Sequence, residues 1–365
     1  AMLWISLAWH PTPLYDVETD LLGDYIPAAR GLLAGHFDPR HFAFRGPGYP
    51  LLLAATIPLA GGDAYLAARL LNVAAAAAAA AFAYRLIRGF LGGPIALGSL
   101  LALIANPAFV RSSIEAASDM PATALALAAT WLAVEGRRGR AIVLAGGLAG
   151  CAVITRYNLA CLPVAAAIAL LARRDRARAM LAYAAGFSLP VGSWMLFQSA
   201  SGGTPLDNPN YLNLAFEVYG RRAGWERFWG ESGGRFHSYL DVVSYDSARF
   251  ASHLASNLAT RWLNDVGQLM PIWIGACAIP GLVLTWWRRE RWPAMFAHFL
   301  ACYAVLALVF YAPRFFLYLL PFYLSGAIGL WLLPQLRPGA LSRLPPPISR
   351  LWRVAGPLVI AGLVV

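Results

Sequence analysis

The chain contains no lysine, and charged residues of every kind make up only 13% of its 365 positions. With 59% hydrophobic residues and a mean hydropathy of +0.57, too little polar surface remains to clothe soluble domains of this length. Disorder and collagen-like repeats are excluded by the same composition. Cysteine is scarce. The four present, Cys151, Cys161, Cys277 and Cys302, lie in apolar stretches and read as small buried hydrophobes rather than a disulfide framework. The sequence also lacks G-x-x-x-x-G-K-[ST], G-x-G-x-x-G and H-E-x-x-H, so nucleotide-driven transport and zinc proteolysis are without their usual signatures. The stretch 2–9 is not expected to be a secretory leader, because it has no basic flank and runs straight into acidic Asp16-Val-Glu-Thr-Asp20. No repeat of 20–50 residues emerges.

What is present is a series of apolar runs, which makes the chain an all-α polytopic membrane protein. Runs long enough to be considered as spans cover 64–88, 94–110, 120–135, 141–155, 157–172, 179–197, 269–287, 294–312 and 315–333. A partial span at 2–9 and the short run 354–365 bring the expected total to about 10–11, with the native chain expected to extend beyond both ends. The run 49–61 is different. As a helix its thirteen residues cover only about 20 Å of a hydrocarbon core of about 30 Å, so it is expected to dip in without crossing.

The net charge of +11 comes entirely from 29 arginines against 18 acids. The arginines cluster between spans as topology signals, and nucleic acid is not an expected partner. With 49–61 treated as interfacial, sixteen arginines (Arg85/Arg88, Arg137/Arg138/Arg140, and those within 173–178, 288–291 and 337–353) fall on one side with only three acids, Glu135, Asp175 and Glu290. That side is expected to be cytoplasmic. The opposite face collects a first loop at 10–63, a short segment at 111–119, tips at Arg156 and Arg314, and a large loop at 198–268, all within a single domain over 1–365. In the large loop Phe250, Leu254, Leu258 and Trp262 recur every fourth residue beside Arg249, His253 and Asn257. That stripe suits a helix on the membrane surface or one packed on a partner helix. The alanine tract 74–81 reads as a close-packing helix.

Polar chemistry is therefore concentrated on one face. In the first loop Leu21, Leu22, Tyr25, Ile26, Ala29, Leu32 and Leu33 share one side of a helix that ends near Gly35. Asp20 and Asp24 fall off that side. Either could be a general base for an acceptor hydroxyl, or a helix cap; spacing favours the cap for Asp24 and leaves Asp20 even. Arg45-Gly-Pro-Gly-Tyr-Pro50 forms a tight turn whose Arg can meet a phosphate, or serve with Tyr49 as an interface anchor. Asp119, in Ser118-Asp-Met-Pro121, is explained by capping alone, but an acid at a span mouth beside Glu115 and Arg111 also invites a functional reading. Arg156 and Arg314 run against the positive-inside trend and are candidates for a lipid phosphate, with ordinary headgroup contact as the alternative. His36-Phe-Asp38-Pro-Arg-His41 matches no established metal spacing. A divalent cation is therefore allowed but not required.

These residues resemble the GT-C class of glycosyltransferases, which includes the protein O-mannosyltransferases and the lipid A aminoarabinose transferase. The resemblance is carried by Glu18-Thr-Asp20-Leu-Leu-Gly-Asp24-Tyr-Ile-Pro, Arg45-Gly-Pro-Gly-Tyr-Pro-Leu-Leu-Leu53, Glu115-Ala-Ala-Ser-Asp119-Met-Pro121, Thr155-Arg156-Tyr157 and Arg314-Phe-Phe-Leu-Tyr-Leu-Leu-Pro321. It implies a GT-C-like bundle with juxtamembrane helices in the first external loop. It also implies transfer of a sugar from a polyprenyl-phosphate donor to a lipid, glycan or protein hydroxyl at the periplasmic face of a bacterial inner membrane. Asp20 and Asp119 match the family's acids, Arg45, Arg156 and Arg314 would bind the donor phosphate, and Glu18, Tyr49 and Glu115 would line the site. Five positions separate Asp20 from Tyr25 where many members have four, so Asp24 stays a candidate base. A transporter or flippase, and a non-catalytic subunit of a glycan assembly system, are the competing readings.

Overall fold

In lipid, backbone amides must be satisfied within the protein, and continuous apolar runs of the length found here do this as helices. The computed structural model describes residues 2–9, 18–38, 42, 44–136, 138–201, 208–220, 224–232, 234–286, 292–309 and 311–336. Arg137, His41, the arginines of 288–291 and 337–353, and the run 354–365 lie outside the described residues. After helical turns at Met2–Trp4 and Ile5–Trp9, the elements are α1 (Ile26–Leu33), α2 (Gly48–Thr56), α3 (Ala64–Leu91), α4 (Gly93–Ala105), α5 (Pro107–Ile114), α6 (Asp119–Glu135), α7 (Gly139–Thr155), α8 (Cys161–Leu171), α9 (Arg176–Ala200), α10 (Tyr211–Ala215), α11 (Trp225–Ser232), α12 (Tyr239–Tyr245), α13 (Ser247–Gln268), α14 (Ile272–Trp286), α15 (Trp292–Leu306) and α16 (Leu320–Leu336). No strand occurs among the described residues.

Helices 64–91, 176–200 and 313–332 are each long and apolar enough to cross a membrane. The other expected runs are helical but shorter, and one is broken. Where the sequence suggested one span over 94–110, α4 stops at Ala105 and α5 leaves at 60°. The cause is local: Asn106 is extended, Pro107 cannot continue the ladder, and the Asn106 side chain caps α5 by accepting the Phe109 N–H. Its amide also donates to the Leu269 carbonyl at 2.8 Å, which fixes the bend against the start of α14.

Apolar helices gain nothing from each other by the hydrophobic effect inside a bilayer, so close backbone approach holds them together. The alanine tract obeys this rule: Ala76, Ala79 and Ala83 of α3 are buried, as are Ala122, Ala126, Ala129 and Ala133 of α6, the helix it packs against. Gly146 of α7 meets the Tyr183–Phe187 backbone of α9, and Gly281 of α14 meets Gly326 of α16, each too closely for any side chain. All four cysteines are free, with Cys161 and Cys302 buried.

The first loop folds back as α1 and α2 on the end of α3. Residues 21–25 form a π turn, which widens the helix and rotates the register before α1 begins. The expected apolar side is divided as a result: Leu21, Tyr25, Ile26 and Ala29 are buried, whereas Leu22 and Leu33 are exposed. Gly35, at φ 77°, follows the helix as expected, with His36 N–H donating to Gly31 O and Gly35 N–H to Leu32 O in a Schellman arrangement.

Helix α13 has its polarity inverted relative to a helix on a water-soluble protein. Its buried positions are Asn257, Arg261, Asp265 and Val266, while Leu258, Trp262 and Leu263 face outward. Of the stripe read from the sequence, Leu258 and Trp262 are exposed and Phe250 and Leu254 half-buried. Burial pushes the Asp265 carboxyl up to about 7, against the lowering influence of the Tyr323 and Tyr311 hydroxyls and the Arg261 charge. Its ordinary value is about 3.9, so between these limits the folded chain holds a proton that the unfolded chain releases, and stability falls as pH rises. The melting temperature in detergent is expected to drop from pH 5 to pH 8, reflecting on the order of 2–3 kcal/mol. In Asp265→Asn that dependence flattens; an equally steep profile in the variant would assign it elsewhere.

Candidate active site

Four chain segments meet at one end of the bundle, and close-packed glycines bring two of them together. In the turn 45–50, Gly46 has φ 75°, and a Cβ on it would press on the Ile154 carbonyl. A Cβ on Gly48 would lie 2.7 Å from the Thr155 amide nitrogen and strike the Thr155 hydroxyl. Only glycine lets the Arg45 turn lie on the Thr155-Arg156 tip. Gly48→Ala is expected to cost about 1–3 kcal/mol or more by overpacking against backbone, seen as a lower melting temperature. Gly23→Ala, with nothing within 4 Å of the new methyl, should melt like the parent; equal behaviour of the two would refute the packing argument.

Three arginines and three carboxylates occupy this junction. Arg45 Nη2 lies 2.7 Å from Asp20 Oδ1, and its Nη1 pairs with Asp24. Arg156 pairs with Asp119, both side chains being largely buried at 14% and 5% exposure. Arg314, in the 3₁₀ segment Pro313–Leu319, stacks 5.4 Å from the Phe315 ring, which Arg156 also approaches at 5.0 Å. The groups feel one another. Burial lowers the Arg45 pKa, with Asp20 opposing and the Arg156 and Arg314 charges reinforcing. Burial works against the Arg156 charge, yet Asp119, Tyr25 and Asp20 raise its pKa overall. Burial raises Tyr25, whose hydroxyl bonds Ser118 Oγ at 3.1 Å.

The capping expectations are corrected here. Neither Asp20 nor Asp24 caps a helix; the π turn starts without a side-chain cap and both carboxylates turn to Arg45 instead. Asp119 is the first residue of α6, and the preceding Ser118 spends its hydroxyl on Tyr25 rather than on a cap.

The remaining residues singled out from the sequence form the frame. Glu18 is buried, accepting the Ala116 N–H at 2.6 Å and the Tyr65 hydroxyl at 3.0 Å, so it ties the first loop to the approach of Asp119. Asn72 donates to the Glu115 carbonyl and accepts from the Tyr49 hydroxyl at 3.5 Å. Glu115 itself pairs with Arg111. Sequence reasoning missed Tyr25, Ser118 and Tyr65, whose partners are 47–93 positions away. Among the described residues no cluster of His, Cys, Asp and Glu is arranged to hold a metal.

The fold is an all-α polytopic bundle. The profile of the dolichyl-phosphate-mannose-protein mannosyltransferase family matches residues 45–194, the stretch that holds Arg45, Asp119 and Arg156. Among solved structures, ArnT from Cupriavidus metallidurans in the apo state superposes with a TM-score of 0.59 at 16% identity, over 97% of this chain and 60% of that one. The same protein bound to undecaprenyl phosphate gives a TM-score of 0.57 at 15% identity, over 100% and 68%. The chain thus spans about 60–68% of the length of the ArnT structures it resembles. No curated protein sequence matches it.

Proposed function

We propose that this chain is a membrane glycosyltransferase that moves a sugar from a polyprenyl-phosphate donor to a hydroxyl group of a lipid, glycan or protein, on the extracytoplasmic face. The observation that carries the reading is the meeting of Arg45, Arg156 and Arg314 with Asp20, Asp24 and Asp119 at one end of an apolar bundle. It is supported by the matching family's dolichyl-phosphate donor and by the undecaprenyl phosphate bound to ArnT.

A donor phosphate would compete with Asp20 and Asp24 for the Arg45 fork, since guanidinium pairs with either anion in the same bidentate manner. Asp20, released, is then free to accept the proton of the acceptor hydroxyl. That oxygen attacks the anomeric carbon, the bond from this carbon to the phosphate oxygen breaks, and polyprenyl phosphate leaves with its charge held by the arginines. The proton stays on Asp20 until water takes it. Direct displacement inverts the anomeric centre. Asp119 keeps Arg156 in place.

Purified protein in lipid, supplied with a panel of radiolabelled polyprenyl-phosphate sugars and candidate acceptors, should release polyprenyl phosphate and form an inverted glycoside with at least one pair. Tight donor binding without transfer from any donor would favour a transporter or a non-catalytic subunit instead. A retained anomeric configuration would overturn direct displacement.

A further inference from the structure

The segment 208–220 carries no motif, yet it grips both sides of the arginine cluster. It consists of the helical turn α10 (Tyr211–Ala215) running into a π turn at Phe216–Gly220. At its first end the Asn210 amide donates 2.7 Å to the carbonyl of Phe44, the residue before Arg45. That amide is oriented by its neighbours, since Asn210 Oδ1 accepts from Asn213 at 2.6 Å and its backbone N–H donates to Asn208 at 2.9 Å.

At its other end Glu217 is fully buried and accepts from Arg261 at 2.5 Å and from Asn257 at 3.2 Å, with His253 Nε2 at 2.9 Å. Those partners carry the grip onward. Arg261 donates to the Val309 carbonyl at 2.9 Å and Asn257 to the Ala307 carbonyl at 3.0 Å. One turn further along α13, Asp265 accepts the Tyr311 hydroxyl at 3.0 Å, and the Arg261 guanidinium stacks 5.4 Å from the Tyr311 ring. Tyr311 stands three residues before Arg314, and its ring packs 5.0 Å from Phe316. The stretch from Asn210 to Glu217, roughly 10 Å of helix, thus links the backbone beside Arg45 to the backbone leading into Arg314.

We propose that segment 208–220 is a strut that sets the separation of the Arg45 and Arg314 guanidiniums, with Asn210 and Glu217 as positioning residues for a lipid phosphate monoester. The inference rests on the reading of those arginines as phosphate ligands. A buried ion pair such as Glu217–Arg261 adds little net stability over apolar packing. What it supplies is a defined register between the strut and the residues ahead of Arg314.

A strut and simple structural glue differ in what they couple to. The test is binding of a short-chain, sugar-free polyprenyl phosphate to the full chain in lipid discs, read as a dissociation constant. It compares Asn210→Ala, Glu217→Gln and Tyr311→Phe, each alone and combined with Arg45→Lys, Arg156→Lys or Arg314→Lys. Tyr311→Phe removes only a hydroxyl and serves if Glu217→Gln does not fold. The strut requires each single variant to weaken binding about tenfold at matched melting behaviour. Asn210→Ala should then add nothing once Arg45 is Lys, and Glu217→Gln and Tyr311→Phe nothing once Arg314 is Lys. All three should keep their full factor in the Arg156→Lys background. Factors that multiply in every background would overturn the strut while leaving the phosphate reading intact. Unchanged binding in Arg45→Lys and Arg314→Lys themselves would overturn that reading, and the strut with it.

Discussion

Asp20→Asn is expected to lower transfer about 10²–10⁴-fold, the range supplied by a positioned general base, while polyprenyl phosphate binds as well as before or more tightly. The second half of that expectation comes from geometry. On the proposed mechanism Asp20 and a donor phosphate would compete for the Arg45 fork, which lies 2.7 Å from the carboxylate, so removing the carboxylate's charge would remove a competitor. The loss should therefore appear in kcat with KM unchanged or reduced. Asp24→Asn should keep most of its turnover, because the Asp24 side chain is 50% exposed and Asp20 only 23%. Moreover, Tyr25 and Arg156 both sense the charge of Asp20. Steady-state transfer by the two variants, matched for melting, checks the assignment. Full turnover in Asp20→Asn with loss in Asp24→Asn would exchange their roles.

Arg156→Ala should be the most destabilising single change at the site. It leaves the Asp119 carboxylate, 5% exposed, without its cation, and breaking such a buried pair from one side costs about 3–5 kcal/mol. Removing both charges avoids that penalty. The double variant Arg156→Ala with Asp119→Asn is expected to recover much of the melting temperature but none of the transfer activity, since the phosphate ligand remains absent. Recovery of neither would mean that Arg156 is held chiefly by its stacking on Phe315 at 5.0 Å, and that the ion pair contributes little.

Much of this was legible in one dimension. The charge asymmetry gathers Asp20, Arg45, Asp119, Arg156 and Arg314 on one face, and Gly46 and Gly48 signal a turn. What stayed hidden was pairing. Arg45 and Arg156 read as independent phosphate ligands, whereas each is engaged by carboxylates 21–37 residues away in sequence. No local period encodes such a distance. The same limit applies to Glu217, Arg261 and Asp265, which meet partners 44–58 positions distant. The break at Asn106 was missed because hydropathy averages over it, although the Asn-Pro pair marks it chemically. The π turn at Leu21–Tyr25 has no compositional signature, and it defeated an apolar side drawn with a 3.6-residue period.

The inverted polarity of α13 bears on any attempt to handle the region by itself. Cut free and placed in water, the segment would present Leu258, Trp262 and Leu263 to solvent while Arg261 and Asp265 lost the tyrosines and carbonyls that accommodate them. With lipid against its outward face, as the sequence reading expects, its folded form would depend on that surround on one side and the bundle on the other, so harsh delipidation would act on α13 early. Because α13 holds the residues ahead of Arg314, stripping the surrounding lipid should erode phosphate-lipid affinity before the bundle itself unfolds.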